Sequence, residues 1–300
     1  MKKEQKEQKE LSVLVDIVRE RTPLIHNITN YVTVNDCANI LLACGGSPIM
    51  SDELQEVEEI TSICGGLHIN IGTLNQRTIP AMKAAGKKAN ACGHPVLLDP
   101  VGAGASRLRT ETAEELLKEI KFTAIRGNIS EIKTLALGMG TTKGVDADST
   151  DAVTDATLEE AVTFAAEFAQ RIGAVAAITG AVDIVTDGRE AFVISNGHPM
   201  MSKVTGTGCM LSAMMTAYLT ANPDHPLEAA AAAVCAMGIA GEQAYKRLTP
   251  QEGNAAYRNH MIDAIYHMDG ETLGKEADVR KYIWEKDGMK PASGEDRHEM

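Results

Sequence analysis

Between Thr22 and Asn196, short apolar runs alternate with longer stretches whose apolar positions recur at helical spacing. Runs of that kind suit strands buried on both faces, and the longer stretches suit amphipathic helices. The alternation therefore predicts an α/β fold with a central, mostly parallel sheet flanked by helices on both faces. Strands are expected at 47–50, 67–71, 95–99, 122–126, 174–179, 183–186 and 191–195, with helices at about 52–62, 76–91, 110–119, 130–136 and 157–171. Asp187-Gly188 separates the last two strands, a hairpin signal that gives the sheet an antiparallel edge. Beyond Gly208 the pattern is helical, at 210–220, 226–248 and 250–267, with Asn222-Pro223-Asp224 and Thr249-Pro250 as breakers. The stretch 138–154, rich in Gly, Thr, Asp and Ser, reads as a long surface loop, either a lid or simply mobile. On this reading 11–285 is a single domain, 1–10 a polar N-terminal extension and 286–300 a flexible polar tail.

Composition narrows the classes. At 300 residues and 44% hydrophobic content the chain can bury a sizeable core, and its 4% aromatic share with abundant Ala, Gly and Met favours closely packed helices. A formal charge of −12 argues against nucleic-acid or anionic-membrane partners, so any polyphosphate ligand has to be held locally. The six cysteines show no paired spacing that suggests zinc or a disulfide framework. The Lys/Glu/Gln run at the N-terminus has no apolar core of a secretory signal, and no stretch reaches the roughly 18 apolar residues of a membrane span. A cytoplasmic enzyme is expected.

Three segments carry candidate chemistry, each where an extended segment ends. Thr205-Gly206-Thr207-Gly208-Cys209 passes through two glycines into an apolar helix, where free first-turn amides and the helix dipole form an anion hole suited to a transferring phosphoryl group. Cys209 there is either a small buried hydrophobe or a thiol whose pKa the helix start lowers toward thiolate. In Asp99-Pro100-Val101-Gly102-Ala103-Gly104, Asp99 is either a turn cap or a carboxylate in the crevice beyond the sheet. In Arg126-Gly127-Asn128-Ile129-Ser130-Glu131, Arg126 offers a fork for phosphate. Asn128 and Glu131 fit either a capping box or the support of a hydrated cation. Thr179, ending its own strand, adds a hydroxyl at the same sheet edge. One site for phosphate and magnesium is the simplest account of all three segments.

This set resembles the ribokinase-like superfamily, in which a GxGD turn supplies an anion hole and a base and an NxxE motif supports magnesium. Cys209 stands here in place of the usual aspartate. With Leu24-Ile25-His26-Asn27-Ile28-Thr29-Asn30 and Ser47-Pro48-Ile49-Met50, the chain resembles the hydroxyethylthiazole kinase family of thiamine biosynthesis and salvage, from about Leu11 to about Ile283. The resemblance implies ATP-dependent phosphorylation of the primary hydroxyl of 4-methyl-5-(2-hydroxyethyl)thiazole. By the same resemblance Cys209 is catalytic, while Met50, Gly206 and Asn27 bind the thiazole. Arg126 and Thr179 bind ATP, Asp99 and Glu131 support Mg2+, and the protein is a homotrimer with active sites between subunits. Read locally, Asn27 is a turn residue before a helix starting near Asn30, Met50 is core, and His26 and His68 are hydrogen-bonded structural histidines.

Overall fold

Successive side chains of a strand point to opposite faces, and the apolar runs of this chain use both. The computed structural model describes residues 4–137, 142–143, 146–147, 157–285 and 288–292. Its strands are β1 (Leu24–Ile28), β2 (Ser47–Met50), β3 (Gly66–Asn70), β4 (Val96–Asp99), β5 (Ala124–Asn128), β6 (Thr142–Lys143), β7 (Asp146–Ala147), β8 (Val175–Thr179), β9 (Asp183–Thr186), β10 (Glu190–Ile194), β11 (Val279–Glu285) and β12 (Gly288–Pro291). The small β6–β7 pair stands alone, and the other ten form one sheet in the order β12-β11-β10-β9-β8-β5-β4-β3-β1-β2. The half from β2 to β8 is parallel; β9 to β12 continue it antiparallel, as the Asp187-Gly188 hairpin implies.

The helices are α1 (Glu4–Arg21), α2 (Val34–Cys44), α3 (Val57–Ile63), α4 (Thr78–Cys92), α5 (Arg107–Glu119), α6 (Ile129–Leu137), α7 (Leu158–Ile172), α8 (Thr207–Ala221), α9 (Pro226–Arg247), α10 (Asn254–His267) and α11 (Gly270–Glu276). Ile25, Leu97, Ala124 and Val185 point to one core with α1, α2 and α8 to α11. Ile28, Leu98, Ile125 and Ile184 point to a second core with α3 to α7. Helix α8 is buried on nearly every side, as expected of a helix with apolar residues all round. It lies between the sheet and the helices α1, α2 and α9. The expected α/β architecture is therefore the observed one.

Several boundaries differ from the reading of the sequence, each for a physical reason. Of the stretch 1–10, residues 4–10 are not a separate extension, because α1 starts at Glu4 and runs unbroken into the buried stripe Leu11, Leu14, Val15 and Val18. Arg19 of that helix donates to the carbonyls of Ile265, Tyr266 and Met268, closing the C-terminal end of α10. The tail expected at 286–300 contains β12, paired antiparallel with β11. Asn27 is not a turn residue: it lies within β1, and α2 begins only at Val34. Of the 138–154 loop only 142–143 and 146–147 are described, so the lid question lies outside the described residues. No helix among the described residues is long and apolar enough to cross a membrane.

Candidate active site

Parallel register brings the strand-end polar residues into rows on the face covered by α8. Met50, Asn27 and His68 are register partners across β2, β1 and β3. Two residues on, Asn70 of β3 is the partner of Asp99 of β4. On β5, Arg126 lies two residues beyond Ala124, the partner of Leu97. Side chains two apart share a face, so the sheet presents Asn70, Asp99 and Arg126 side by side.

Above them α8 begins. Gly206, its N-cap, has φ 84°, and a Cβ there would lie 2.2 Å from Thr33 Cγ2, so both conformation and space require glycine. The first intrahelical bond runs from Met210 N–H to the Gly206 carbonyl at 2.8 Å. The amides of Thr207, Gly208 and Cys209 precede it and have no intrahelical acceptor. A Cβ on Gly208 would lie 2.3 Å from Arg126 Nη1, so the guanidinium packs directly against this turn. Arg126 Nη1 is 3.8 Å from Asp99 Oδ1, and Nη2 donates to Thr179 Oγ1.

Asp99 is wholly buried. Its Oδ2 accepts from Asn70 Nδ2 at 2.9 Å and from Ser212 Oγ at 2.8 Å, while Oδ1 has no hydrogen-bond donor. Burial raises its pKa, opposed first by the Arg126 charge. Glu131 accepts at Oε1 from Gly102 N–H and at Oε2 from Asn128 N–H, both at 2.8 Å. Asn128 Oδ1 in turn accepts from Glu131 N–H at 2.9 Å, so the capping box is made. Burial and then the Asp99 charge lift the Glu131 pKa to about 7. The loop from Asp99 to Gly104 is held by Arg109, which donates to the Val101 carbonyl at 2.8 Å and the Gly72 carbonyl at 2.6 Å.

Cys209 is buried, and its Sγ accepts from Asn30 Nδ2 and Asn70 Nδ2, each at 3.3 Å. Of the two readings of Cys209, the lowered pKa is not the one found: burial and then the Asp99 charge raise the thiol pKa, outweighing the opposing hydrogen bonds of Asn70 and Thr33. A neutral thiol therefore sits at the helix start. His26 is the structural histidine expected, bonded to Thr61 Oγ1 and the Ser51 carbonyl at 2.9 Å each. His68 bonds only Asn27 Oδ1, at 3.1 Å.

Free amides at a glycine turn, a guanidinium packed on that turn and two buried carboxylates below are groups chemically suited to moving a phosphoryl group. The profile of the Hydroxyethylthiazole kinase family matches residues 15–271. The hydroxyethylthiazole kinase of Clostridium acetobutylicum is 63% identical over 265 residues, 88% of this chain and 97% of that protein. The chain belongs to the hydroxyethylthiazole kinase family. Among solved structures, a hydroxyethylthiazole kinase protein from Pyrococcus horikoshii superposes with a TM-score of 0.80 at 35% identity, over 90% of this chain and 98% of that one. A ribokinase-like superfamily protein from Enterococcus faecalis, 13% identical, shares the fold with a TM-score of 0.55 over 83% and 94% of the two chains.

The structure brings Asp99, Arg126, Thr179, Gly206, Cys209 and Glu131 of this family member to one end of the sheet, with Asn27 and Met50 one pleat away at its β2 edge. Asn30, Asn70, Thr33 and Ser212 were missed. Asn30 holds Cys209 through Nδ2 and Thr33 through Oδ1, and Ser212 holds Asp99. The only signal of Asn70 in the sequence is a polar letter alternating with apolar ones in Leu67-His68-Ile69-Asn70-Ile71; its partners come from three other elements.

Proposed function

We propose that this chain transfers the γ-phosphoryl group of ATP to the primary hydroxyl of 4-methyl-5-(2-hydroxyethyl)thiazole, giving the thiazole phosphate and ADP, in thiamine biosynthesis or salvage. One kinase domain, from α1 through β12, carries the reaction. Family membership supports the substrate. The observation that carries the chemistry is Arg126 packed against Gly208, a fixed cation beside three first-turn amides.

In this reading Arg126 and Thr179 take the ATP phosphates, while Met50, Asn27 and Gly206 line the thiazole. The alcohol oxygen bonds to the γ-phosphorus as the bond to the β–γ bridging oxygen breaks. The hydroxyl proton leaves late, to phosphate or solvent, so no strong base is needed. Cys209, held as a neutral thiol, orients the alcohol beside the anion hole. The amides of Thr207, Gly208 and Cys209 stabilise charge on the transferring group.

The donor set fits Mg2+. No group of three or more His, Cys, Asp or Glu among the described residues could hold a metal ion. Magnesium bound to a nucleotide, however, draws its ligands mostly from phosphate and water and needs only one or two carboxylates. Asp99 Oδ1, buried and without a donor, suits that role. Asp99 and Glu131 would hold the ion, which when bound supplies charge neutralisation on the phosphates.

A homotrimer with sites completed between subunits is part of the proposal. It is supported by exposed apolar side chains just beyond the C-terminal ends of β1 and β2: Tyr31 (78% exposed), Val32 (55%) and Leu54 (48%). A cytoplasmic location is proposed with it. The test of function is ADP release with magnesium across a panel of alcohols: the thiazole alcohol, a hydroxymethylpyrimidine, a pyridoxal-type alcohol and a sugar. Highest kcat/KM on the thiazole alcohol supports the proposal, and a better rival overturns the substrate assignment.

A further inference from the structure

His68 is completely buried, yet it is only half satisfied. Its Nδ1 lies 3.1 Å from Asn27 Oδ1, and its Nε2 has no hydrogen-bond partner. A buried polar atom without a partner costs about 1–3 kcal/mol, and an apolar residue at this position would remove that cost. Something must therefore depend on the Nδ1 contact.

What depends on it is the polarity of an amide. Asn27, 2% exposed, donates from Nδ2 to the Ile25 carbonyl at 3.1 Å, which leaves Oδ1 as the acceptor. His68 Nδ1 then carries the proton, and Nε2 carries a lone pair. Without a donor at His68, the Oδ1 and Nδ2 ends of the Asn27 amide become interchangeable apart from one contact with its own strand. With it, Oδ1 is occupied, and the remaining amide hydrogen of Asn27 has no acceptor among the described residues. Asn27 lies between Met50 and His68 in the strand order, on the row next to that of Asn70 and Asp99. With its orientation fixed in this way, the amide presents that spare N–H to the site as a donor.

We propose that His68 is a positioning residue that locks the Asn27 amide, so that the site selects, opposite Asn27, a heteroaromatic ring bearing an unprotonated acceptor nitrogen. This rests on the thiazole reading above and sharpens it: the ring nitrogen, which a pure shape fit would ignore, is read by one hydrogen bond. A ring of the same shape with CH in place of nitrogen leaves the Asn27 donor unpaired.

The test compares the thiazole alcohol with its thiophene analogue, in which the ring nitrogen is replaced by CH, for wild type, His68→Leu and His68→Asn. Asparagine places an amide nitrogen where histidine has Nδ1 and so restores the donor. Wild type should prefer the thiazole over the thiophene by about 10-fold in KM. His68→Leu should raise the KM for the thiazole alcohol about 10-fold while the KM values for the thiophene and for ATP stay within about twofold. His68→Asn should recover most of the loss. Equal losses on thiazole and thiophene, or no recovery in His68→Asn, would overturn the lock. If His68→Leu does not fold, the wild-type preference and His68→Asn decide. If wild type does not turn over the thiazole alcohol, the substrate assignment fails by itself. Nitrogen-15 NMR of His68 still decides the lock: a protonated Nδ1 with a bare Nε2 supports it, and the opposite tautomer overturns it.

Discussion

Asn70 donates its side-chain amide to Cys209 Sγ at 3.3 Å, tying the end of β3 to the first turn of α8. The same nitrogen donates to Asp99 Oδ2, while its Oδ1 accepts from Asn30 Nδ2 at 3.1 Å and Gly72 N–H at 2.9 Å. With all of its capacity used, Asn70 fixes the thiol and the carboxylate relative to each other. Asn70→Leu should cost about 1–3 kcal/mol of stability by leaving buried partners unpaired. Turnover should fall more steeply than in Cys209→Ala. Chemical denaturation alongside kcat checks both, and wild-type turnover in Asn70→Leu would contradict the account.

Cys209→Ala should lower turnover by about 10-fold to 100-fold with little change in KM for ATP. The thiol is neutral, so its loss removes orientation of the alcohol and not a base, and the pH profile of kcat should keep its shape. Unchanged kcat would reduce Cys209 to packing.

Gly208→Ala tests the Arg126 contact without touching the arginine. The added Cβ meets the guanidinium at 2.3 Å from Nη1 and 2.6 Å from Nη2, so Arg126 has to move off the turn. A loss in kcat/KM on the order of 100-fold is expected, matching removal of an anion-stabilising donor. Arg126→Ala should add little further loss in that background, because the two changes remove the same interaction.

Folding stability carries a signature of His68. Burial and then the Arg126 charge push its pKa from 6.5 down to about 3. Between those values the unfolded chain binds a proton that the native state does not, so stability is undiminished above pH 6.5 and is lost as pH falls toward 3. At about 1.4 kcal/mol per unit, the loss at pH 4.5 is about 2–3 kcal/mol. His68→Asn should flatten this part of the stability profile, read as Tm against pH. A slope identical to wild type would mean that His68 titrates normally.

Much of the architecture was legible because local pattern and burial agree. Strands β4 and β8 are apolar runs up to their last residue, the β9–β10 hairpin is marked by Asp187-Gly188, and α8 follows directly from the glycine turn. Strand β1 was overlooked because His26 and Asn27 are polar letters, buried only because Thr61, Ser51 and His68 satisfy them from elsewhere. Helix α1 was not anticipated, because the charged letters before Leu11 conceal the start of an amphipathic helix. At the site, residues announced by glycines or by strand-end charge were found. Asn30, Asn70 and Ser212 were not, because their roles exist only once the register of β1, β3 and β4 and the seating of α8 are fixed. Environment also decided between the two readings of Cys209. The helix start was visible in the sequence, but the burial and the Asp99 charge that overrule it were not.

The most direct test is a crystal structure with the thiazole alcohol and a non-hydrolysable ATP analogue bound. The account predicts the alcohol oxygen between Cys209 Sγ and the γ-phosphorus, about 3–3.5 Å from phosphorus, with the γ-phosphate on the amides of Thr207, Gly208 and Cys209 and beside Arg126. A γ-phosphate bound away from that turn, or an alcohol pointing away from Cys209, would contradict it.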